Sequence, residues 1–128
     1  MKKILIDTHV FLWWISDNKN LGENARKYIS NPQNRIYLSS VSSWEISIKK
    51  NKGLLEAPDD IASIVNEEGF EELPISIFHG ELAGKLESIH KDPFDRMMIA
   101  QAKAEAMELL TDDLYIKKYS ISIIDASK

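Results

Sequence analysis

Short, uninterrupted apolar runs alternate along this chain with stretches whose apolar residues recur at helical spacing. Ile4-Leu5-Ile6 is continuous in the way of a strand buried on both faces, and Asp7-Thr8 then supplies a helix-starting signal. The first strand is therefore expected to end at Asp7. Helices are predicted over about residues 9–16 and 22–30, and Asn31-Pro32 breaks the second before a strand at 35–38. Ser39 and Ser40 can cap a helix over 41–50 that stops at Gly53, and another helix is predicted over 58–68, ended by Gly69. A short strand at 72–74, a helix over 77–88 and a strong helix from Asp92-Pro93 through Ala106 follow. Residues 108–110 read as a strand, Asp112 or Asp113 starts one more helical turn, and 120–124 closes the chain as a strand. Strands alternating with helices of this length predict an α/β domain, a parallel sheet with helices on both faces. In such sheets ligands bind beyond the carboxyl ends of the strands, so side chains after the first, second and fourth strands are expected to meet.

With 128 residues, one core and a single domain spanning 1–128 are expected. The longest apolar run, Val10-Phe11-Leu12-Trp13-Trp14-Ile15, falls far short of the roughly 20 residues of a membrane-spanning helix. Lys2 and Lys3 precede an apolar stretch broken by Asp7, Thr8 and His9 with no small-residue cleavage site, so a cytoplasmic location is expected. The absence of cysteine excludes disulfides, cysteine-based zinc sites and thiol catalysis, leaving oxygen and imidazole as metal donors. A formal net charge of −4 argues against binding nucleic acid by phosphate neutralisation alone, but not against an enzyme that handles it through a metal.

The acids then change the picture. Asp7 follows the first strand and is equally readable as an N-cap; Asp112 and Asp113, after the strand that runs into Thr111, carry the same ambiguity. Asp95 sits in Asp92-Pro93-Phe94-Asp95-Arg96, where Asp92 can be the cap, yet Met98, Ile99, Ala102 and Ala106 continue from Asp95 at helical spacing, which turns its carboxylate toward the core. Glu45 falls among Val41, Trp44 and Ile48 on an apolar stripe. A buried glutamate needs a cation, hydrogen bonds or a proton, and Arg96 is the candidate salt-bridge partner. Four acids without an accompanying basic cluster would repel one another, and an all-oxygen set of this kind suits Mg²⁺ or Mn²⁺, which activates water for attack on phosphorus.

Together, Ile4-Leu5-Ile6-Asp7-Thr8-His9, Ser42-Ser43-Trp44-Glu45-Ile46, Asp92-Pro93-Phe94-Asp95-Arg96-Met97-Met98-Ile99-Ala100-Gln101-Ala102 and Leu110-Thr111-Asp112-Asp113 resemble the PIN-domain ribonucleases, most closely the VapC-like toxins of bacterial toxin–antitoxin pairs. These blocks span almost the whole chain. The resemblance implies a PIN-like three-layer sandwich, Mg²⁺- or Mn²⁺-dependent cleavage of single-stranded or structured RNA, a homodimer and a cognate antitoxin. By position it makes Asp7, Glu45 and Asp95 the three principal acids and metal ligands and Asp113 the fourth, with Asp112 beside it. Thr8 and Thr111 would position a water or an acid, or serve as caps, and Asp92 can be purely a cap.

The remaining candidates are weaker. His9, His79 and His90 lack metal-ligand spacing on one element, so ordinary polar contacts are expected, with only His9 near the site. The block from Phe11 to Trp14 reads mainly as core, with a dimer or antitoxin surface as the alternative, and Lys49, Lys50 and Lys52 read as a solvated helix end. Arg96 is open between neutralising the acids and contacting a phosphate. A haloacid-dehalogenase-type phosphatase would need a second Asp where His9 stands, a receiver module would need paired acids in its first loop, and no phosphate-cradling glycine loop or Gly-x-Ser-x-Gly elbow exists. The rival is a PIN-fold RNA-binding or regulatory module without turnover, against which the retention of all four acids argues.

Overall fold

The computed structural model describes residues 1–128. Strands β1 (Lys3–Ile6), β2 (Arg35–Ser39), β3 (Glu71–Leu73), β4 (Glu108–Thr111) and β5 (Ile123–Asp125) form one parallel sheet in the order β3-β2-β1-β4-β5. Helices α1 (Thr8–Ile15), α2 (Glu23–Ser30), α3 (Ser40–Asn51), α4 (Ile61–Glu67), α5 (Ile77–Lys85) and α6 (Pro93–Ala104) connect the strands, and a 3₁₀ turn at Ile116–Lys118 precedes β5. The expected α/β sandwich of a parallel sheet between helical layers is the fold observed.

The continuous apolar run of β1 has a direct physical cause. Successive strand side chains point to opposite faces, and both faces of this central strand are covered. Ile4 and Ile6 enter one core with Val10 and Phe11 of α1, Ala25 and Ile29 of α2 and Val65 of α4, whereas Leu5 enters the other with Met98, Ile99 and Ala102 of α6. Leu110 and Leu109 of β4 divide between the two cores in the same way. No helix is long and apolar enough to cross a membrane.

Several element ends move from their predicted places. The α4 helix starts after Asp60, whose side chain accepts the Ser63 N–H, rather than at Pro58, and α5 stops at Lys85 rather than at residue 88. Helix α6 ends at Ala104, because Ala106 adopts a left-handed φ of 53° and so cannot extend it. The last strand lies at Ile123–Asp125, later than expected, with Asp125 in register with Thr111. Trp44 is the clearest departure: the buried face of α3 is Val41, Ser42, Glu45 and Ile46, and Trp44 is 60% exposed.

Sheet order determines where a site can form. From β1 the chain builds outward to β2 and β3 on one side and to β4 and β5 on the other, leaving a crevice at the carboxyl ends of β1 and β4. Asp7 and Asp113 follow those two ends.

Candidate active site

Asp7 is both helix cap and buried acid. Its Oδ1 accepts the Val10 N–H at 2.8 Å, and its own N–H donates to the Leu110 carbonyl at 3.1 Å, which ties the turn to β4. The other oxygen, Oδ2, accepts a short hydrogen bond from the Thr111 hydroxyl. Thr111 Oγ1 in turn accepts the Asp113 N–H at 3.0 Å, so one buried threonine positions two acids. Burial pushes the Asp7 carboxyl up to about 6; the Thr111 and Val10 hydrogen bonds oppose this, and the negative charge of Asp112 adds to it.

Asp113 has a divided role. Its Oδ1 accepts the N–H groups of Tyr115 at 2.8 Å and Ile116 at 3.0 Å, opening the 3₁₀ turn, while Oδ2 faces inward, 3.5 Å from His90 Nε2. Of the two adjacent candidates for the fourth acid, Asp113 is thus the one whose free oxygen joins the cluster. Asp112 stays partly exposed and reaches the site through its charge on Asp7.

Glu45 comes from α3, which the Ser39 side chain starts at the end of β2 by accepting the Val41 N–H at 3.0 Å. The carboxylate is only 2% exposed. Its Oε1 accepts the Thr8 hydroxyl at 2.7 Å, and Thr8 Oγ1 also lies 2.9 Å from Ser42 Oγ. Lys49, one turn further along α3, meets Oε2 at 2.6 Å. The expected cation partner was Arg96, but the i,i+4 lysine lies on the same helix face and takes that place. The Lys49 ammonium is held above its ordinary range chiefly by its hydrogen bond to Glu45, with the charges of Asp92 and Asp95 contributing. Lys50 pairs with Asp59 instead.

Asp95 is the most strongly perturbed acid. Asp92 caps α6 by accepting the N–H groups of Phe94 at 2.8 Å and Asp95 at 3.1 Å, which sets Asp95 on the first turn facing the crevice. Burial pushes its carboxyl up to about 8, and the negative charges of Asp92, Asp113, Asp7 and Glu45 push in the same direction. Asp95 therefore feels the charges of Asp7, Glu45 and Asp113, though the four come from separate stretches of chain. Arg96, next in sequence, points elsewhere: its guanidinium donates to the carbonyls of Ala83, Leu86, Glu87 and His90. It fastens the end of α5 and forms no ion pair with the acids.

His90 enters the site contrary to expectation, and His9 is exposed. His90 Nε2 lies 2.9 Å from Asp95 Oδ2, yet off the direction of a ring N–H hydrogen bond, so this buried nitrogen has no hydrogen-bonding partner. Its Nδ1 accepts the Asp92 N–H at 3.4 Å, and its own N–H donates to the Tyr119 hydroxyl at 2.8 Å. The sequence signal was its place two residues before the Asp92 cap, which folds the loop back over the first turn of α6. His79 has a structural role, completing the Ser76 capping box and meeting Glu105 at 2.9 Å.

The donor set fits a divalent cation. Carboxylates dominate it, burial raises two of them, Asp7 to about 6 and Asp95 to about 8, and ligand atoms of His90, Asp95 and Asp113 lie within 4.8 Å of one another. Of the four expected ligands, Asp95 and Asp113 stand in that group with His90; Asp7, bonded to Val10 and Thr111, and Glu45, bonded to Thr8 and Lys49, lie outside it and border it through their charges on Asp95. The surface has its own clefts, such as one between α1 and α4 lined by Trp14, Asp17, Arg26 and Ile64, but these lie away from the acids.

Comparison with known proteins agrees with this geometry. Similar solved structures include VapBC from Salmonella typhimurium bound to DNA (21% identity, TM-score 0.70, covering 98% of each chain). VapBC2 from Rickettsia felis bound to a promoter DNA fragment is another (18% identity, TM-score 0.65, 95% of this chain and 97% of that one). A toxin–antitoxin complex from Klebsiella pneumoniae is a third (19% identity, TM-score 0.65, 96% and 97%). At such identities the likeness is one of fold. No curated protein sequence matches the chain. The sequence model of the PIN domain, a class of domains that are generally nucleases and generally use divalent metals, matches residues 4–122. With nearly the whole chain matched and its acids gathered at the carboxyl edge of the sheet, this protein belongs to the PIN domain family.

Proposed function

We propose that this chain is an Mg²⁺- or Mn²⁺-dependent endoribonuclease that cleaves single-stranded RNA, and that it is the toxin of a toxin–antitoxin pair, active as a homodimer and restrained by a cognate antitoxin. The observation that carries the reading is Asp95, a carboxyl pushed up to about 8 by burial and by four neighbouring acids. Such a cluster stores repulsion that a divalent cation relieves, and structural caps alone do not require it. Family membership and the toxin–antitoxin complexes among the structural neighbours support the nuclease and toxin parts of the reading.

When bound, the cation would lower the pKa of water and neutralise charge on the scissile phosphate. The chain's own residues do the rest. Thr111 fixes Asp7 and the Asp113 backbone with one hydroxyl, Thr8 orients Glu45, and Asp92 sets the first turn of α6 that carries Asp95. Lys49 pairs with the other Glu45 oxygen from one turn along α3.

The test is cleavage of end-labelled single-stranded RNA with Mg²⁺, with Mn²⁺ and with EDTA, by the parent protein and by Asp7→Asn and Asp95→Asn. Metal-dependent cleavage by the parent, lost by at least 100-fold in both variants that remain folded, is the expected result. Full cleavage in EDTA or in both variants refutes it.

A further inference from the structure

Helices α3 and α6 pack together, and each carries an acid of the site immediately preceded by an aromatic residue: Trp44-Glu45 on α3, Phe94-Asp95 on α6. Consecutive helical residues diverge by about 100°. When the two acids turn into the crevice, the two aromatics therefore emerge together on its rim. They meet there edge to face, with ring centroids 5.3 Å apart and planes at 74°. Phe94 is half-buried and braces the pair, while Trp44 keeps 60% of its surface in solvent.

We infer that Trp44, braced by Phe94, is a base-stacking platform for a nucleotide next to the phosphate held at the acids. This rests on the proposed ribonuclease reading and names how the substrate is gripped. Three features favour an unpaired base as the occupant. An edge-to-face brace leaves indole surface open, and an aromatic face stacks on any base, whereas a base inside a duplex offers none. The adjacent pocket is acidic, so it attracts a phosphate only through a cation, and the chain carries a net charge of −4. Affinity for a polyanion must then come largely from contacts other than charge, and stacking supplies them without sequence selectivity. Finally, Trp44 occupies a position that the apolar periodicity of α3 assigns to the core, yet the fold leaves it at the rim, one residue from the most buried acid of the site.

The test measures kcat and KM with Mg²⁺ on a 5′-fluorescein single-stranded RNA 20-mer of mixed sequence, on the same strand in a duplex, and on a series carrying one abasic nucleotide at successive positions. The proteins are the parent, Trp44→Ala, Trp44→Phe, Trp44→Leu and a control, Leu54→Ala, at another exposed apolar side chain. Stacking predicts that Trp44→Ala and Trp44→Leu raise KM on the order of 10-fold, with kcat within about 3-fold. Trp44→Phe restores most of the loss, and Leu54→Ala changes nothing. One abasic position next to the cut should weaken the parent as much as Trp44→Ala does and leave Trp44→Ala itself unaffected. An unchanged KM in Trp44→Ala overturns the inference while leaving the ribonuclease reading standing. So does an unchanged KM accompanied by loss of antitoxin inhibition or of dimerisation, which would assign the indole to a protein surface. Failure of the parent to cleave any RNA overturns both.

Discussion

Replacing Asp95 by asparagine keeps the side-chain shape and removes the charge that the site most resists. In the folded protein the Asp95 carboxyl lies at about 8, against 3.8 for an ordinary aspartate. Between those values the native state holds a proton that the unfolded chain has released, so metal-free stability falls as pH rises through that window and levels off above it. Each pH unit is worth ~1.4 kcal/mol, giving an upper limit of roughly 6 kcal/mol over the window, which relaxation and counter-ions reduce. Asparagine does not titrate. Asp95→Asn and parent should therefore be similarly stable near pH 4, and by pH 8.5 the variant should be more stable by ~2–4 kcal/mol in EDTA. Asp7, raised to about 6, adds the same trend; because its charge acts on Asp95, its contribution should shrink when Asp95 is neutralised, which widens the difference between the two proteins. Saturating Mg²⁺ should reverse the order at pH 8.5, because cation binding draws on the ionised carboxylate that the variant lacks. Its apparent affinity for the parent should climb up to tenfold per pH unit below about 8. Urea unfolding followed by circular dichroism at pH 4, 7 and 8.5, with EDTA or Mg²⁺, measures all of this. Parallel pH profiles for the two proteins in EDTA, or equal stabilisation of both by Mg²⁺, would refute the argument that repulsion within the acid cluster is what a cation relieves.

Other substitutions test single links. Thr111→Val removes the hydroxyl that bonds Asp7 and accepts from Asp113; it should cost ~1–3 kcal/mol by urea unfolding and lower Mg²⁺-dependent cleavage more than tenfold. Lys49→Met leaves the Glu45 carboxylate buried with only Thr8 to bond it; metal-free stability should drop by ~1–3 kcal/mol at pH 7, and Mg²⁺ should recover much of that loss. Arg96→Met should act on the fold rather than on phosphate binding: the expected signature is a lower urea midpoint with KM for RNA nearly unchanged, since the guanidinium serves four carbonyls around the end of α5. Leu5→Ala, deep between the sheet and α6, should cost ~2–5 kcal/mol by cavity formation, and calorimetry should show it without any change in the pH profile.

Much of the molecule was legible in one dimension because its causes are local. A continuous apolar triplet before Asp7-Thr8 is a two-sided central strand feeding a capped helix, and Asp92-Pro93 is a helix start, whatever else the chain does. The alternation of such units implies a parallel sheet, and a parallel sheet concentrates acids at strand ends along one edge. Glu45 was recognisable for the same reason, as an acid among residues spaced for burial.

What the sequence could not settle is which side chains answer one another across the fold. Helical spacing put Trp44 in the core, but α6 and the sheet cover the Val41-Ser42-Glu45-Ile46 face of α3, so the indole was left at the rim. Arg96 stood beside Asp95 in sequence and yet turned toward α5, while Lys49 reached Glu45 from one turn away. His90 had no partner within ligand spacing, and only the fold of the loop before α6 brings its Nε2 against Asp95 and Asp113. Strand, helix and cap follow from a few neighbouring residues. The partner of a buried charge depends on which faces the packing of sheet and helices covers, and that is decided between residues far apart in the chain.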